Sequence, residues 1–120
     1  MFTFIDGMPA GVLAVEASGK VTHEDYRDRL VPKAEAMMGQ GPIKLLYVIG
    51  PAFTGFEWGA LVDDSRFGLQ HWHDFSQIAV VSDHAWLNAM VAMFRPFFHG
   101  EVRLFSLTEL AAAKAWIAEG

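Results

Sequence analysis

Residues Ile43–Trp86 read IKLLYVIGPAFTGFEWGALVDDSRFGLQHWHDFSQIAVVSDHAW. The run Lys44–Ile49 has almost no polar alternation, as a strand covered on both faces requires. Glycine and proline follow, so the stretch Gly50–Glu57 is expected to turn the chain from strand into helix. Glu57 to Trp72 then carries apolar residues at helical spacing: Trp58, Leu61, Val62, Leu69 and Trp72 fall together and are expected to face a sheet. Gln77–Val81 is a second apolar, β-branched run, and Ser82 or Asp83 is placed to cap another helix. Strand, turn, helix, strand, helix is the order of a parallel α/β unit. In such units the ligand or regulatory site sits at the carboxyl ends of the strands, here the Gly50–Glu57 turn.

The rest of the chain extends this unit on both sides. Phe2–Ile5 and Gly11–Ser18 are β-rich and flank Asp6-Gly7-Met8-Pro9, a turn sequence, so they are expected to form an antiparallel hairpin. Thr22 is the N-cap of the first helix, with Asp25 three residues on as a variant capping box. Tyr26, Leu30, Ala34 and Met37 form its apolar face, and Gly39 and Gly41 end it. Pro32 lies within this helix and is expected to kink it, because its ring crowds the carbonyl of Asp28. The helix opened by Ser82 or Asp83 runs to about Phe98. Glu101–Ser106 is the last strand, and Thr108 caps an Ala-rich helix ending near Ile117. The expectation is one α/β domain over residues 1–120, with five strands and four helices in the order ββαβαβαβα and a mixed, mostly parallel sheet.

Composition bounds the function. The chain has 120 residues, enough for one core and too few for two. It contains no cysteine, so disulfides, thiolate metal sites and a cysteine nucleophile are absent. Its net charge is −5, with Lys and Arg scattered, so it lacks the basic face that nucleic acid requires. No apolar run is long enough to span a bilayer, and no secretory leader is legible, so the cytoplasm is the expected location.

Several motifs together resemble the SpoIIAA-like family, of the STAS and SEC14 type. They are the Thr22–Tyr26 cap THEDY, the F-x-G-x-x-x-GAL pattern of Phe53–Leu61, the block DDSRFGLQHWHDFSQIAVVSD, and the C-terminal EVRLF-x-L-x-E-L-x-x-A-x-x-W. The resemblance covers essentially the whole chain and implies a mostly parallel sheet with packed helices, as in anti-sigma-factor antagonists. Those antagonists carry a D-S-[ST]-G-type motif after the corresponding strand, phosphorylated by a partner kinase. This chain has Gly50-Pro51-Ala52-Phe53-Thr54-Gly55 instead. Thr54 lacks the preceding aspartate, so the phosphoswitch does not carry over.

The polar residues assemble no catalytic set. His71 and His73 are two apart and point to different sides of a helix, unlike the i, i+4 spacing of helical zinc ligands. His23 and His84 open helices, and His99 follows one. Asp63 and Asp64 lie about 100° apart on their helix, and Asp63 is spaced to pair with Arg66. There is no G-x-S-x-G elbow, and Gly50 to Gly55 lacks the Lys-Ser/Thr of a phosphate loop. The expectation is a protein that is not an enzyme and uses neither cofactor nor metal.

Apolar residues are more informative. Trp86, Met90, Met93 and Phe97 form one helical stripe, and Leu87, Val91, Phe94 and Phe98 form a second beside it. Only Asn88 and Arg95 make a polar strip. The combined face exceeds the roughly 100° that covers a sheet, so the helix packs on two sides or meets a partner. Phe67 lies apart from the sheet-facing residues of its own helix and is expected to be exposed beside Phe53 and Phe56. The expected binding residues are Phe53, Thr54, Phe56, Trp58 and Phe67, with Trp86, Met90 and Met93 on a neighbouring surface. Regulatory protein–protein contact, including a homodimer, and capture of a small apolar, lipid-like molecule are the two expected roles.

Overall fold

The structure is a computed structural model and describes residues 1–60, 62, 66–67, 74–98 and 100–119. Its strands are β1 (Phe2–Phe4), β2 (Val12–Val21), β3 (Ile43–Phe56), β4 (Phe75–Val81) and β5 (Glu101–Phe105), side by side in that order. β1 runs antiparallel to β2, as the hairpin turn dictates, and β2 through β5 are mutually parallel. Sequential parallel neighbours need crossovers of one hand, and these all deliver their helices to the same side of the sheet.

The core divides accordingly. On one face Phe2, Leu13, Val15, Ile43, Tyr47, Ile49 and Phe53 pack against Tyr26, Leu30 and Ala34 of the first helical region, with Ala60, Phe67 and Leu87 from the next two. On the other face Leu46, Val48, Ala79 and Val81 pack against Ala113 and Ile117 of the C-terminal helix. Four helical regions are described. The first comprises α1 (His23–Asp25), a π turn (Tyr26–Leu30) and α2 (Val31–Met38). A second is helical at 58–60, 62 and 66–67. The others are α3 (Ala85–Phe94), continued by a 3₁₀ turn (Arg95–Phe97), and α4 (Leu110–Glu119), preceded by a 3₁₀ turn (Leu107–Glu109). The order ββαβαβαβα is as expected.

Four local readings are corrected. The stretch Gly50–Glu57 is not a turn, because β3 continues through Phe56. β2 is long enough to pair with it, matching Gly19 to Phe53, Lys20 to Gly55 and Val21 to Phe56 after two shifts of register. The left-handed φ of 57° at Gly19 supplies the irregularity, and Pro51 is tolerated because it lies where that pairing is interrupted. Pro32 does not simply kink the first helix. The turn before it widens to π geometry, with the Val31 amide bonding the Tyr26 carbonyl, which accommodates the proline ring by a local expansion. The last helix is capped by Ser106, whose side chain and that of Glu109 bond each other's backbone amides, rather than by Thr108. Neither Ser82 nor Asp83 caps α3, which opens at His84. Ser82 is buried and its Oγ accepts from the His84 amide at 3.0 Å, while Asp83 Oδ1 accepts from the Leu107 amide at 3.0 Å.

The first cap forms as expected. The Asp25 amide donates to Thr22 Oγ1 at 3.2 Å, and the Thr22 amide donates to Asp25 Oδ2 at 2.9 Å. The N-terminal ammonium lies 3.2 Å from the same carboxylate oxygen. Burial works against ionisation of Asp25, but the bonds from Thr22 and the ammonium outweigh it and hold the pKa below the ordinary 3.8. A carboxyl depressed in the folded state stabilises the fold above its unfolded pKa, and that stability is lost as pH falls through the folded value. Thermal melts taken from neutral pH into acid are therefore expected to show a fall in Tm below about pH 4. Asp25→Asn should have a lower Tm at neutral pH and a shallower fall. Identical acid profiles for the two proteins would contradict this assignment.

Candidate functional site

Overhanging its neighbour β4, the end of β3 carries two aromatic side chains towards the start of α3. Val48 is the last β3 residue paired with β4, opposite Val81. Beyond it, Phe53 is buried and Phe56 half-buried, their ring centroids 5.0 Å apart. The His84 ring stands edge-on to Phe53 at 5.2 Å, and the Trp86 indole edge-on to Phe56 at 6.4 Å. These T-shaped contacts match the aromatic quadrupoles. Four rings from β3 and the first turn of α3 thus form one cluster at the carboxyl ends of the parallel strands.

α3 itself is turned unexpectedly. Its inward side is held by a polar anchor, Asn88, whose Nδ2 donates to the Ser82 carbonyl at 2.9 Å. Leu87 packs on the core beside it, and none of the helix residues is fully buried. Of the polar strip read from the sequence, Arg95, at the end of α3, is exposed, while Asn88 is therefore at the sheet. Roughly half a turn away, the outward pole is apolar: Trp86 is 48% exposed, Met90 41%, Met93 65% and Phe94 62%. Ala85, Ala89 and Ala92 are exposed on its flank. From Ala85 to Phe94 no residue carries a charge. Asn88 Oδ1 is buried and accepts no hydrogen bond among the described residues.

The expected site residues separate into three groups. Phe53, Phe56 and Trp86 come together in the ring cluster, and Met90 and Met93 continue from it along α3. Thr54 is exposed on β3, and Trp58, two residues beyond Phe56, is 77% exposed. Phe67 does not join them. It is half-buried, edge-on to Phe75 at 6.0 Å, and packs on the core. The helix from 58 is thus rotated relative to its reading, since Ala60 and Phe67 face the sheet while Trp58 and Val62 are exposed. His84 belongs to the surface but was not among the expected binding residues, and Phe94, read as part of the wide apolar face, joins it. Phe94 follows Met90 by four residues and Trp86 by eight, a helical spacing that signals a shared face. The readings for Leu61, Asp63, Asp64, Leu69, His71, Trp72, His73 and His99, and for the Phe97 side chain, lie outside the described residues.

Among the described residues no three His, Asp or Glu side chains are placed to hold a metal ion, and no helix is long and apolar enough to cross a membrane. A cleft of about 690 Å³ opens at the opposite end of the sheet, where Asp6, Met8, Lys33, Met37, Gln40 and Pro42 line it. A sequence profile of the SpoIIAA-like family matches residues 12–118. The chain belongs to the SpoIIAA-like family. Among solved structures, this SpoIIAA-like domain is similar to an uncharacterized protein of the DUF3478 family, with a SpoIIAA-like fold, from Shewanella loihica PV-4. The two are 26% identical, with a TM-score of 0.76 over 98% of this chain and 92% of the other. No curated protein matches the chain.

Proposed function

We propose that this SpoIIAA-like domain is a non-catalytic binding module that works by regulatory protein–protein contact through the outward face of α3. One observation carries the reading: the solvent-facing pole of that helix is apolar along its whole length while its polar residue, Asn88, is spent on the sheet. A helix that only covers a sheet presents the reverse arrangement. Contiguous exposed apolar surface of this kind marks interaction sites, and methionines beside aromatic rings adapt to apolar partners. Thr54, the hydroxyl of the segment that replaces the antagonists' phosphoswitch motif, lies in strand β3 without a preceding aspartate, which favours constitutive contact over switching by modification.

The ring cluster favours a second reading, capture of a small apolar molecule. Phe56 and Trp86 are each only partly covered, so the cluster opens to solvent at its α3 end. Native mass spectrometry of the purified protein then shows a co-purifying hydrophobic molecule, and a clean apo mass counts against it.

Phe94→Asp and Met93→Asp test the first reading. Both variants are expected to keep the wild-type circular dichroism and to lose the proteins that wild-type bait retains from a cell extract. Exposed positions away from packing change stability by no more than about 0.5 kcal/mol. Unfolding of both variants would make these residues core and end the reading.

A further inference from the structure

We infer that the partner of the α3 face is a second copy of this chain, the two helices packing antiparallel about a two-fold axis near Ala89. The inference rests on the reading of that face as a binding surface. Three features point to self-pairing. First, a two-fold interface needs a patch complementary to itself. Along α3 a ridge of Trp86, Met90 and Met93 stands beside a shallow furrow of Ala85, Ala89 and Ala92, and antiparallel pairing lays the ridge of each copy in the furrow of the other. Second, the apolar area is that of a weak, concentration-dependent dimer. With aromatic side chains covering about 150–250 Å² each when buried, the exposed fractions leave on the order of 450 Å² of apolar side chain on α3. That is rather more than half of the roughly 800 Å² per partner in a standard interface. Third, charge disfavours the main competitor, a membrane surface. An interfacial helix flanks its apolar face with several Lys and Arg, whereas α3 has none within it, only Arg95 follows at its C-terminal end, and the chain carries a net charge of −5. Between two copies an uncharged face brings no like charges together.

Sedimentation equilibrium over a concentration series tests this. The wild-type protein should move towards twice its 13.3 kDa chain mass as concentration rises to about 100 μM. Met93→Glu sets a carboxylate of each copy into the apolar furrow of the other, and should stay at the single-chain mass with unchanged circular dichroism. Because the chain has no cysteine, Ala89→Cys introduces one thiol per copy, and mild oxidation should convert it to a disulfide dimer while Glu119→Cys stays monomeric. A wild-type protein that remains at the single-chain mass throughout overturns the inference. If that monomer binds the dye bis-ANS and Met93→Glu does not, the face is free and the binding reading survives without self-pairing. If neither protein binds the dye, both fall. Flotation of the monomer with vesicles of phosphatidylcholine and phosphatidylglycerol would replace the second copy with a membrane.

Discussion

Tyr26→Ala is expected to remove about 3–5 kcal/mol of folding stability, the loss typical of truncating a buried aromatic side chain. Tyr26 is almost wholly buried where the π turn begins, its ring edge-on to Phe2 at 5.1 Å. Its hydroxyl lies 3.0 Å from that of Tyr47, and the Tyr47 ring meets Phe2 in turn at 5.9 Å. One side chain thus joins the hairpin, β3 and the first helix. Truncation removes its ring contacts, leaves a cavity among stiff neighbours and takes away one partner of Tyr47. Since a small domain is stable by only about 5–15 kcal/mol, the variant should show a much lower urea midpoint with an unchanged slope. A loss under about 1 kcal/mol would mean the site repacks freely.

Ile117→Asp is expected to be more damaging still, on the order of 4 kcal/mol or more, because it places an unpaired charge in a sealed interior. Ile117 is fully buried where α4 lies on Leu46, Val48, Ala79 and Val81. α4 is the described helix on that face of the sheet, so loosening it wets the strands beneath. The substitution should raise the carboxyl pKa through desolvation, and the variant should regain stability as pH falls towards and below neutrality. Equal stability of Ile117→Asp and wild type at neutral pH would contradict the placement of α4.

Legibility in the sequence followed the range of the interactions involved. The hairpin, the Thr22–Asp25 cap and the buried strands depend on neighbours a few residues away, and their residues state them directly. Ser106-Leu107-Thr108-Glu109 also states its capping box, through the spacing of a hydroxyl and a glutamate three residues on. The end of β3 was not legible, because whether Gly50–Phe56 turns or continues depends on how far β2 extends beside it. Nor was the rotation of α3. Apolar residues surround most of that helix, so hydrophobic periodicity gives it no preferred face, and its orientation goes with tertiary contacts: Asn88 to the Ser82 carbonyl, Leu87 on the core and Trp86 against Phe56. The same uncertainty displaced Trp58 and Phe67, whose exposures are the opposite of those their spacing suggested. Site position was therefore readable from the α/β order, while the membership of the surface required tertiary contacts.

The central claim is that α3 faces solvent with its apolar side, and one paired measurement bears on it most directly. Urea unfolding of Met93→Asp and Leu87→Asp, at protein concentrations low enough to keep copies apart, compares the outer and inner positions with the same charge. Met93→Asp should lie within about 0.5 kcal/mol of wild type, while Leu87→Asp should lose about 2 kcal/mol or more. Equal and large losses at both positions would show that α3 is buried on both sides, and would contradict the binding face.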